Sequence, residues 1–141
     1  MKKSINDNYN TYPIGAEPIY RDSTDSSDDG MFVEMRYKMP SAGSVIGWEY
    51  FSFCNTIGNY VKFSVVRQLQ GDCQFEVVGA NEFMVTAEGY NRVIVEDSER
   101  VYVQQGDLVA MSFTRSASIR YWFPAVSFIY IISRIILYVI L

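Results

Sequence analysis

Between residues 31 and about 122, apolar side chains recur at every second position in short runs, and turn residues cut the runs apart. Val61, Phe63 and Val65 alternate with Lys62, Ser64 and Val66, and Phe75 and Val77 alternate with Gln74 and Glu76. Successive side chains of a strand point to opposite faces, so this spacing buries one face of a sheet. A helix needs i, i+3, i+4, i+7 spacing, and no window sustains it. The same parity argument predicts a strand over Met31 to Met39 with Met31, Val33, Met35, Tyr37 and Met39 on its buried side. Val45 to Cys54 is an aromatic-rich run, and further strands are expected at 82–87, 91–95, 101–103, 108–113 and 119–122. Turn signals fall at Gln70-Gly71-Asp72, Gly79-Ala80-Asn81, Glu88-Gly89, Asp97-Ser98 and Gln105-Gly106-Asp107, the last expected to be a hairpin turn with Gly106 at positive φ. Eight or nine short strands at this spacing predict an all-β chain, an antiparallel β-sandwich of jelly-roll-like form.

Composition makes such a core feasible, because 49% of the 141 residues are hydrophobic and 20% are charged. The mean hydropathy of +0.00 hides three unlike zones. Residues 1–30 hold three basic and six acidic side chains and few aliphatics, and are expected to be a polar, acidic, partly disordered leader. Two lysines open it, but no apolar stretch follows them, so it does not read as a secretory signal. Residues 31–122 are the sandwich.

Residues 123–141 form the third zone. Ala125 to Leu141 carries one charge, Arg134, among eleven Ile, Leu, Val and Phe residues. As a helix it would be about 25 Å long, near the lower limit for a bilayer core of roughly 30 Å. On an insertion scale the apolar residues supply roughly −3 to −7 kcal/mol against about +2.5 to +3.5 for a central arginine. The expectation is a C-terminal hydrophobic helix that places Ala125–Leu141 in a lipid bilayer. The competing reading is a further β hairpin, since six isoleucines and two valines in 17 residues also suit strands.

Chemistry is constrained mainly by what is missing. There is no histidine, which removes the commonest general base, metal ligand and pH switch. A net charge of −4 disfavours nucleic-acid binding. Nucleotide-binding glycine motifs are absent, and the serines and cysteines have no base to activate them. The chain is therefore read as non-enzymatic, without cofactor. Asp25, Asp28 and Asp29 are weak calcium candidates. An EF-hand read from Asp25 fails, because its twelfth position is Arg36 where a carboxylate is required. Cys54 and Cys73 are a candidate disulfide, with two buried thiols as the alternative. Trp48, Tyr50 and Phe51 are a candidate stacking platform, although core packing is the commoner use of such a stripe.

The order of segments resembles a β-sandwich module of large invertebrate polycystin-1-like and hyalin-like surface proteins. The resemblance covers roughly residues 22–115. It rests on Gly47, Trp48, Tyr50 and Phe51, on a strand ending in Arg67, on the Val78-Gly79 pair, and on Val103, Gly106 and Asp107. It implies an extracellular module for cell-surface recognition or adhesion, with an unidentified protein or glycan ligand and no catalysis. Arg115 and Arg120 ahead of the apolar segment point the other way, to a cytosolic domain; the expectation follows the resemblance. The alternative is a soluble binding module resembling tumour-necrosis-factor or C1q-type jelly rolls, with aromatic strands building a homotrimer.

Overall fold

The computed structural model describes residues 10–15, 31–52, 57–71, 74–114 and 134–139. Nine strands follow one another among them: β1 (Asn10–Ile14), β2 (Phe32–Glu34), β3 (Gly43–Ser52), β4 (Tyr60–Gln68), β5 (Phe75–Met84), β6 (Gly89–Ile94), β7 (Tyr102–Val103), β8 (Leu108–Thr114) and β9 (Arg134–Val139). A single 3-10 turn, Asp97–Glu99, lies between β6 and β7. The first sheet has the order β1-β9-β3-β6, with β7 continuing the β6 edge against the start of β3; the second has the order β2-β8-β4-β5. Every pairing is antiparallel. Only β4–β5 and β6–β7 are consecutive strands that stay in one sheet.

The interior forms where the two sheets face each other. Val45, Trp48 and Tyr50 of β3 pack against Val61, Phe63 and Val65 of β4 and Val109 of β8. Trp48 stacks on Phe63 with centroids 4.8 Å apart, and Tyr50 tilts against the same ring at 5.4 Å. Val45 and Trp48 are an odd number of residues apart, yet both point inward. A bulge at Ile46 explains it: β9 pairs Val45 with Leu137 and Gly47 with Ile136, so Ile46 is the extra residue and the parity flips.

The structure corrects the sequence reading in four places. Residues 134–139 of the expected C-terminal helix are β9, hydrogen-bonded to β1 on one side and β3 on the other. Isoleucine-rich sequence suits a half-buried pleat, and here tertiary pairing decides the conformation. No helix among the described residues is long and apolar enough to cross a membrane. Next, Asn10–Ile14 of the polar leader is β1, so the sandwich draws strands from both flanking zones. Third, alternation over Met31 to Met39 yields only three strand residues. Met31, Met35 and Tyr37 are exposed, while Met39 is buried by a backbone strap in which its N–H donates to the Asp107 carbonyl and its carbonyl accepts from Gly106 N–H, each at 2.8 Å.

Fourth, Gly79-Ala80-Asn81 is not a turn but the middle of β5, with a bulge at Val78. Gly79 is required there by close approach, since a Cβ would sit 2.8 Å from Val101 Cγ1. Gly106 does take positive φ, at 90°, as expected. Its turn joins β7 in the first sheet to β8 in the second, so it crosses the sandwich and closes no hairpin.

Candidate interaction face

Strand parity sorts the residues singled out from sequence. Trp48 and Tyr50 face the interior, and burial raises the Tyr50 phenol above its ordinary value. Trp48 Nε1 donates to Asn81 Oδ1 at 3.0 Å, and Asn81 Nδ2 donates to the Glu99 carbonyl at 2.9 Å, so the indole is tied to β5 and the 3-10 turn. They are core residues, not a platform. Arg67 and Asp107, forty positions apart, meet at one end of the sandwich. Arg67 Nε and Nη2 donate to the two Asp107 oxygens at 2.9 Å each, and Gln104 N–H donates to Oδ2 at 2.8 Å. The buried carboxylate holds the guanidinium above its ordinary value. Asp25, Asp28, Asp29, Cys54 and Cys73 lie outside the described residues. Among the described residues no three His, Cys, Asp or Glu side chains gather to hold a metal ion.

The residues that sequence reasoning passed over are on the outer face of the first sheet. With Trp48 and Tyr50 inward, Gly47, Glu49 and Phe51 take the opposite face of β3. Their partners on β6 are Ile94, Arg92 and Tyr90 respectively, and Tyr102 of β7 lies opposite Ser44. Tyr90, Arg92, Ile94 and Tyr102 thus form one line along the β6–β7 edge. Tyr102 is 73% exposed, Tyr90 54% and Ile94 37%. Beside that line in the middle of β3, Gly47 has no side chain and Glu49 is buried, at 5% exposed.

The charges on this face are centred on Glu49. Arg92 Nε lies 3.8 Å from Glu49 Oε1, and the register sets Arg134 of β9 opposite Glu49 on the other side. The lone arginine of the apolar C-terminal run therefore sits at a position across from an acid. No signal in the sequence links 49, 92 and 134; only the pairing of three strands does. No family model, curated protein or solved structure matches the chain.

Proposed function

We propose that this chain is a non-catalytic recognition module of jelly-roll form that assembles as a homotrimer through the outer face of its first sheet. The interleaved order, β1-β9-β3-β6 against β2-β8-β4-β5, supports the jelly-roll assignment. The observation that carries the assembly is the exposed line Tyr90, Arg92, Ile94 and Tyr102 along the β6–β7 edge. Tyrosine and arginine are the side chains most often responsible for binding energy at interfaces. An exposed aromatic edge suits a contact in which the edge of one copy packs against the next and the ring closes.

The test is light scattering coupled to size-exclusion chromatography of the full chain, alongside Ile94→Asp and Tyr102→Asp. Both substitutions alter exposed side chains, so thermal stability of the subunit is expected to hold. Wild type is expected at three times the chain mass and both variants at one. A monomeric wild type, or variants that keep the wild-type mass, would overturn the proposal.

A further inference from the structure

We draw no further inference here: the strongest candidate, the apolar patch of Val66, Leu108 and Ala110 beside the buried Ser64 hydroxyl on the outer face of the second sheet, carries nothing because nothing in the structure shows what covers it.

Discussion

Removing Arg67 is expected to cost more than removing Asp107, although the two form one ion pair. Asp107 is 1% exposed, while Arg67 is one-third exposed at the end of the sandwich. Arg67→Met keeps the aliphatic stem but leaves a buried carboxylate whose remaining donor is the Gln104 N–H. Breaking a buried pair from one side costs about 3–5 kcal/mol, and partial access of water at this site lowers the figure to about 2–4. Asp107→Ala returns the guanidinium to water and orphans one backbone N–H, at a cost of about 1–3 kcal/mol. The double variant has no stranded charge, so it should cost about as much as Asp107→Ala alone. A loss of about 3 kcal/mol lowers the melting temperature of a domain this size by roughly 10 °C. Urea unfolding at pH 7 of the four proteins closes the double-mutant cycle. The reasoning is refuted if Arg67→Met costs under about 1 kcal/mol or if the single effects add in the double variant.

Other outcomes follow from the same geometry. Trp48→Phe removes the donor to buried Asn81 Oδ1 and part of the ring stacked on Phe63, and is expected to destabilise by about 2–4 kcal/mol in chemical denaturation. Glu34 is held below its ordinary value of 4.5, chiefly by the hydrogen bonds from the Arg36 side chain. Its contribution to stability is present above about pH 4.5 and is lost as pH falls through the lowered folded value; an NMR titration should show a midpoint below 4.5 that Arg36→Gln raises.

The sequence was most legible where one face of a strand is buried against the opposite sheet. At Val61, Phe63 and Val65 alternation alone located β4 and its inward side. It misled where residue type and position carry different information. Methionine is apolar wherever it stands, so Met31, Met35 and Met39 look alike in sequence, but only Met39 is pinned by the Asp107 and Gly106 backbone. Glycine marks either a turn or a close approach, and at Gly79 the reason is Val101, 22 residues away. Isoleucine and valine runs suit a bilayer helix and a half-buried strand equally, and the register of β9 between β1 and β3 decides it. The candidate interaction face was illegible for the same reason. Tyr90, Arg92, Ile94 and Tyr102 fall in one line beside β3 only through cross-strand pairing, which no local pattern encodes.

On the proposed assembly, one copy meets the next through the outer face of the first sheet. Tyrosine nitration at low and high protein concentration, mapped by peptide mass spectrometry, tests it directly. Tyr90 and Tyr102 should be modified in dilute solution and protected in concentrated solution. Tyr60, 43% exposed on the second sheet, serves as the internal control and should be modified equally in both. Equal modification of Tyr90 and Tyr102 at the two concentrations, or protection of Tyr60 in their place, would contradict the account.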